Sequence, residues 1–214
     1  MQGMPTGRSS PPEAGRGRRG ATREKMVRTA AVLLRENGVA GTTIDKVLAA
    51  SGAPRGSVYH HFPGGRAQLL SEAVEFATES MIELAGAAGE GDPAVALDAF
   101  VALWREQLLT SNYRAGCPVL AVVVDADPAL PELTEQAGEA FGRWQSVLAR
   151  ILGERGMTTT SADRLALQSL CILEGAVAVC RARREIAPLD EAADAIRALY
   201  EVEVGSSGAA PEGG

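Results

Sequence analysis

Histidine is almost missing from this 214-residue chain: there are two, His60 and His61, side by side. That removes histidine acid–base chemistry from the remainder of the sequence. Neighbouring helical residues point about 100° apart, and no Cys, Asp or Glu lies close to the pair, so a metal site there is not expected. Cysteine is scarce as well. Cys117, Cys171 and Cys180 are odd in number, and their spacing suits neither a disulfide framework nor a zinc site. They read as small core residues in a reducing compartment. A nucleophile elbow, a phosphate loop and any His/Cys/Asp cluster are also lacking. No catalytic residue, metal or cofactor is expected, and the chain does not read as an enzyme.

Aromatic residues make up 4% of the chain, against 46% hydrophobic residues overall. The core must therefore be built from Ala, Leu and Val, of which Ala and Leu favour helix. No stretch alternates in the way a half-buried strand demands. Apolar runs stay below the ~18 residues of a membrane span: CPVLAVVV is short, and LALQSLCILEGAVAVC is broken by Gln168 and Glu174. The N-terminal arginines have no apolar segment behind them, so Arg18-Arg19 is not an export signal. A cytoplasmic, all-α protein of about nine helices is expected.

Negative charge is in short supply at one end. Residues 1–65 hold ten Lys+Arg against four Asp+Glu, whereas residues 66–214 hold eleven against twenty-three. A basic head on an acidic body suggests that the head alone meets a polyanion. Residues 1–21 carry Gly, Pro, Ser and Arg with almost nothing to bury, and read as a disordered basic arm able to add phosphate contacts. Gly15–Gly20 spells G-x-G-x-x-G, but no strand precedes it and no βαβ unit surrounds it, so it is not a dinucleotide fingerprint.

From Thr22 helical spacing begins. Val27, Ala30, Ala31 and Leu34 form an apolar stripe that Asn37-Gly38 ends. Thr42 or Thr43 caps a second helix with Ile44, Val47 and Leu48 inward, and Ser51-Gly52 stops it. Pro54 opens a third helix, whose Val58 and Phe62 can pack inside. Arg55, Gly56, Ser57, Tyr59, His60 and His61 are then left for the outside. Arg can bridge guanine O6 and N7, the hydroxyl and imidazole groups can meet phosphate or base edges, and glycine permits close backbone approach. Two short helices with a tight turn over 43–62 therefore read as a helix-turn-helix.

Residues 22–80 resemble the DNA-binding domain of the tetracycline-repressor (TetR) family. The resemblance is carried by Asn37-Gly38, Thr42-Thr43-Ile44, Ser51-Gly52 and the string Gly56-Ser57-Val58-Tyr59-His60-His61-Phe62. HHFPGGR, with Gly116-Cys117-Pro118-Val119, is similar to an LmrA/YxaF-like branch. The resemblance implies DNA contacts from Thr42, Thr43, Arg55, Gly56, Ser57, Tyr59 and His60. It adds Arg66, which takes the place of a lysine after a Pro63-Gly64-Gly65 link one residue longer than usual.

The resemblance also implies a DNA-binding domain at 22–82 and an effector-binding and dimerisation domain at 83–204; residues 205–214, GSSGAAPEGG, read as a disordered tail. The partners are operator DNA, a second copy of the chain and a small apolar effector, giving a repressor released from a palindrome. Phe100, Trp104 and Trp144, with Val123 and Cys171, could line an apolar pocket, or simply fill the core. Glu174 sits in an apolar run, either at a seam with arginine or as polar lining. The last two long helices are apolar over much of their surface, so each is either central in its own body or docked on another chain; the resemblance implies the second, with Leu170, Leu173, Val177, Ile196 and Leu199 as the dimer face. The alternative is an architectural DNA-binding protein without an effector, which would call for a basic surface throughout.

Overall fold

The computed structural model describes residues 14–89 and 93–207. Among them are nine α-helices and no strand. The helices are α1 (Ala14–Gly41), α2 (Ile44–Ser51), α3 (Arg55–His61), α4 (Gly65–Gly89), α5 (Pro93–Thr110), α6 (Pro118–Val124), α7 (Pro131–Gly153), α8 (Thr159–Arg183) and α9 (Ala187–Ser207).

Two boundaries differ from expectation. Residues 14–21, expected in a disordered arm, continue α1 as helix, while residues 1–13 lie outside the described residues. Once the packed turn at Met26–Leu34 has nucleated the helix, each added residue gains a hydrogen bond without a new nucleation cost. By the same logic α9 reaches Ser207, into the expected tail. Residues 208–214 lie outside the described residues.

The head is α1–α3 packed on the first half of α4. Met26, Ala30 and Leu34 of α1, Val47 of α2, Val58 of α3 and Leu70 and Ala73 of α4 are fully buried. Phe62 closes this core with no exposed surface, and the Arg23 guanidinium lies 5.3 Å over its ring. Two glycines set the chain reversals. Gly38 adopts φ +71°, which ends the regular part of α1. Gly52 adopts φ +66° and donates its amide to the Leu48 carbonyl at 2.9 Å, closing α2. Both sit where an L side chain is strained.

The body is α5–α9 gathered around the second half of α4. Trp144 of α7 donates its indole N–H to the Thr78 carbonyl of α4 at 3.1 Å, and Gln136 donates to the Ser71 carbonyl at 3.0 Å. Arg143 reaches Glu75 at 3.0 Å and also pairs with Glu79, so α4 and α7 are tied along their length. By length and composition α8 is apolar enough to cross a membrane, a property not expected from the sequence. It is packed between α7 and α9, with Leu165, Leu170, Leu173 and Val177 buried. Most buried apolar residues of head and body form one continuous cluster, and Leu152, Met157, Ala162, Leu165 and Ala166 form a smaller one between the end of α7 and the start of α8.

Phe62→Ala removes the ring that α1, α3 and α4 share. A loss of about 3–5 kcal/mol is expected from urea unfolding. A loss below about 1 kcal/mol would show that the head core does not depend on it.

Candidate nucleic-acid interface

The helix-turn-helix is assembled by local hydrogen bonds. Thr43 caps α2 by accepting the Lys46 amide at 3.3 Å. Ser51 is buried; its hydroxyl accepts the Ala53 amide at 3.3 Å, which shapes the turn. Pro54 precedes α3 in extended conformation, and its carbonyl accepts the Ser57 amide at 2.9 Å. Val58 then points inward, fully buried.

With Val58 fixed, the other side of α3 is determined. Arg55, Gly56, Tyr59 and His60 are all exposed and fall within about 140° of arc at ~100° per residue. Tyr59 keeps 74% of its surface free. Arg55 stands 3.8 Å from Asp45, with both side chains more than three-quarters exposed, so this ion pair is loose and leaves the guanidinium free to turn. A Cβ added to Gly56 would meet nothing within 4 Å. The fold itself does not ask for glycine there, whereas an outside body in close approach would. Ser57 differs: it is half-buried, and its hydroxyl donates to the Pro54 carbonyl at 2.6 Å and lies 4.0 Å from the Met26 sulfur.

An exposed basic and aromatic face on the second helix of a helix-turn-helix is the geometry of a major-groove reader. The similarity to known proteins agrees. Residues 27–73 match the family profile of bacterial regulatory proteins of the tetR family, and residues 93–195 match the LmrA/YxaF-like transcriptional regulator C-terminal domain. An uncharacterized HTH-type transcriptional regulator of Mycobacterium tuberculosis is 41% identical over 187 residues, covering 85% of this chain and 95% of the relative.

This chain belongs to the TetR family of DNA-binding transcriptional regulators.

The HTH-type transcriptional regulator LmrA of Bacillus subtilis is 30% identical over 172 residues, 79% of this chain and 92% of that protein. The crystal structure of a TetR transcriptional regulator from Chloroflexus aurantiacus superposes with a TM-score of 0.67 at 28% identity, covering 84% and 94% of the two chains.

Two expected DNA contacts of this TetR-family chain lie elsewhere. Thr42 is 1% exposed, and its hydroxyl donates to the Gly38 carbonyl at 2.8 Å. It closes the reversal after α1 and does not face outward; Thr43, one residue on, is exposed. Arg66 does not point at a free surface either. Its guanidinium donates to the Thr42 carbonyl at 3.0 Å and the Val39 carbonyl at 2.5 Å, and faces Asp127 at 3.4 Å. Beside it, Asp125 accepts the Ala40 amide at 2.8 Å. The residues after α6 thus hold the α1–α2 link directly. Sequence reading missed both aspartates, because their partners are 61 and 85 residues away.

The body of the TetR-family chain holds a cavity of about 280 Å³ between α4, α5, α7, α8 and α9. Of the residues expected there, Phe100 and Trp144 line it. Trp104 is buried in the main core and does not line it. Val123 and Cys171 are exposed, on α6 and α8. Glu174 meets Cys117 at the start of α6, not the cavity. The expected dimer residues also point inward: Leu170, Leu173, Val177 and Ile196 are at most 7% exposed, and Leu199 is half-buried. Leu170, Leu173 and Ile196 line the cavity. The exposed apolar stripe of α8 is its opposite side, Leu167, Cys171, Gly175, Ala178, Val179 and Ala182.

Glu174 is half-buried as a residue, yet its Oε2 is enclosed and has no hydrogen-bond partner among the described residues. Burial pushes its carboxyl up to about 7, while the hydrogen bond with Cys117 partly offsets this. Burial also pushes the Cys117 thiol well up, so the thiol keeps its proton as a donor. A carboxyl raised on folding adds stability below its unfolded value of about 4.3, and that contribution is lost as pH rises through 7. Glu174→Gln should therefore gain on the native chain between pH 5 and pH 8, by roughly 2 kcal/mol. Unfolding curves at the two pH values check this, and a constant difference would contradict it.

Proposed function

We propose that the chain is a homodimeric, cytoplasmic repressor that reads a palindromic operator through α3 and leaves it when a small apolar effector fills the body cavity. The observation that carries this reading is the arc of Arg55, Gly56, Tyr59 and His60, which no intramolecular packing requires. Thr43 flanks it from the start of α2. One α3 reads only a few base pairs, so a two-fold pair about one helical turn apart is needed for a specific site. The outer stripe of α8 and the exposed Ala195, Ala198 and Val202 of α9 supply apolar exposed surface for that pairing.

The effector reading is supported by shared structure. Met81, Ile82, Leu84 and Ala85 on the second half of α4 wall the cavity. The first turn of the same helix holds Arg66 in its junction with Val39, Thr42 and Asp127. A ligand preferring one placement of α4 therefore prefers one placement of the head, with leverage equal to its differential affinity. An architectural role without effector would leave this cavity unexplained, and residues 66–214 are strongly acidic rather than basic throughout.

Binding to fragments of the chain's own upstream DNA tests the reading. Arg55→Ala should weaken operator affinity by about 1–3 kcal/mol. Gly56→Ala should weaken it as well, while raising or preserving thermal stability by up to about 1 kcal/mol, since a helical Ala replaces Gly. Unchanged operator binding by both variants would remove α3 as the reading helix.

A further inference from the structure

The charges at the cavity rim discriminate between ligand classes. The wall is almost wholly apolar, with Leu97, Phe100, Trp144, Leu148 and Leu173 facing the space. Among the described residues that line it, Arg197 is the sole cation and Glu201 the sole anion. Arg197 is already engaged: one guanidinium nitrogen lies 2.5 Å from Asp98 of α5 and another 2.7 Å from Asp194 of α9. Counting Asp98 and Asp194, which hold Arg197 but do not themselves line the cavity, three carboxylates stand against the one cation. These side chains are well exposed, so the pairs add little to stability. What matters is that they cancel the one charge that could receive an anion. Inside, Ser169 is buried on α8, and its hydroxyl has no hydrogen-bond partner among the described residues.

An organic anion entering here would surrender its hydration, find no free cation and face a net negative rim. A neutral apolar molecule loses little hydration and gains the aromatic and aliphatic wall. A single hydrogen-bonding group on it would meet the unengaged Ser169 hydroxyl. We propose that this cavity takes uncharged, mainly apolar ring compounds bearing a hydrogen-bonding group that Ser169 meets, and that Arg197, held by Asp98 and Asp194, makes the cavity reject organic anions. The proposal rests on the reading of the cavity as the effector site and specifies its ligand class.

Two fluorescent probes share one ring system and differ in charge: N-phenyl-1-naphthylamine is neutral, and 8-anilinonaphthalene-1-sulfonate carries a sulfonate. Titrated into the full chain, the neutral probe should bind at least about tenfold more tightly. Asp98→Asn with Asp194→Asn frees Arg197 on an exposed rim, and should tighten the sulfonate by about tenfold while leaving the neutral probe unchanged. Ser169→Phe should abolish neutral-probe binding by filling the space. Ser169→Ala, which keeps the volume and the fold, should weaken it about two- to tenfold. Equal binding of both probes by the native chain, binding of neither, or neutral-probe binding indifferent to both Ser169 variants would overturn the proposal. Operator release, read in the same samples, keeps the two readings apart. Neutral-probe binding without release would remove the effector role and leave the ligand class standing; release by the sulfonate would do the reverse.

Discussion

Asp125 holds the turn from which the DNA-reading head is hung. Its carboxylate accepts the Ala40 amide and lies where a side chain at Gly38 would intrude, at 2.7 Å from an added Cβ. Two residues on, Asp127 faces Arg66, whose guanidinium also gathers the Val39 and Thr42 carbonyls. These contacts turn the reversal between α1 and α2 into part of the body. They require Gly38 at φ +71° and Thr42 turned inward, which in turn starts α2 at Ile44 and places α3. Charge-assisted bonds to enclosed carbonyls are among the stronger polar contacts available, and losing one leaves acceptors unsatisfied.

The helix that precedes these aspartates has a second attachment. At the other end of α6, Gly116 donates its amide to the Arg35 carbonyl at 2.8 Å, and Cys117 meets Glu174 of α8. A helix of seven residues, about 10 Å long at 1.5 Å per residue, therefore spans from α8 to the head. The longer α4 makes a parallel connection, running from Arg66 past Thr78, which receives the Trp144 indole, to the cavity wall at Met81–Ala85. Head and body share one apolar core between these two links. Any rearrangement of the cavity wall has to be taken up at one or both of them.

Local chemistry was legible in the sequence. The helix-turn-helix could be read because its signals lie within a few residues of what they control: Gly52 after α2, Pro54 before α3, and Val58 and Phe62 one turn apart. The helical class followed from Ala and Leu with few aromatics. What was illegible depends on distant partners. Arg66 looked like a phosphate contact until Asp127, 61 residues on, came beside it. The inner and outer faces of α8 could not be told apart, because apolar residues cover most of its circumference. The bulky Leu170, Leu173 and Val177 went inward, while Cys171, Gly175 and Ala178 face out. Trp104 and Trp144 were equal candidates for the pocket, but only Trp144 lines it, while Trp104 is packed in the main core.

We take Arg66 to act by holding the α1–α2 link to the body rather than by touching DNA. Operator affinity of Asp127→Asn tests it most directly, with circular dichroism showing that the fold is kept. Removing a carboxylate near a DNA-binding head favours polyanion binding on charge alone, and a phosphate-contacting arginine released from its partner would add to that gain. If the junction positions the head, the variant instead binds operator about three- to tenfold more weakly. Equal or tighter binding, with a steeper dependence on salt, would contradict the account.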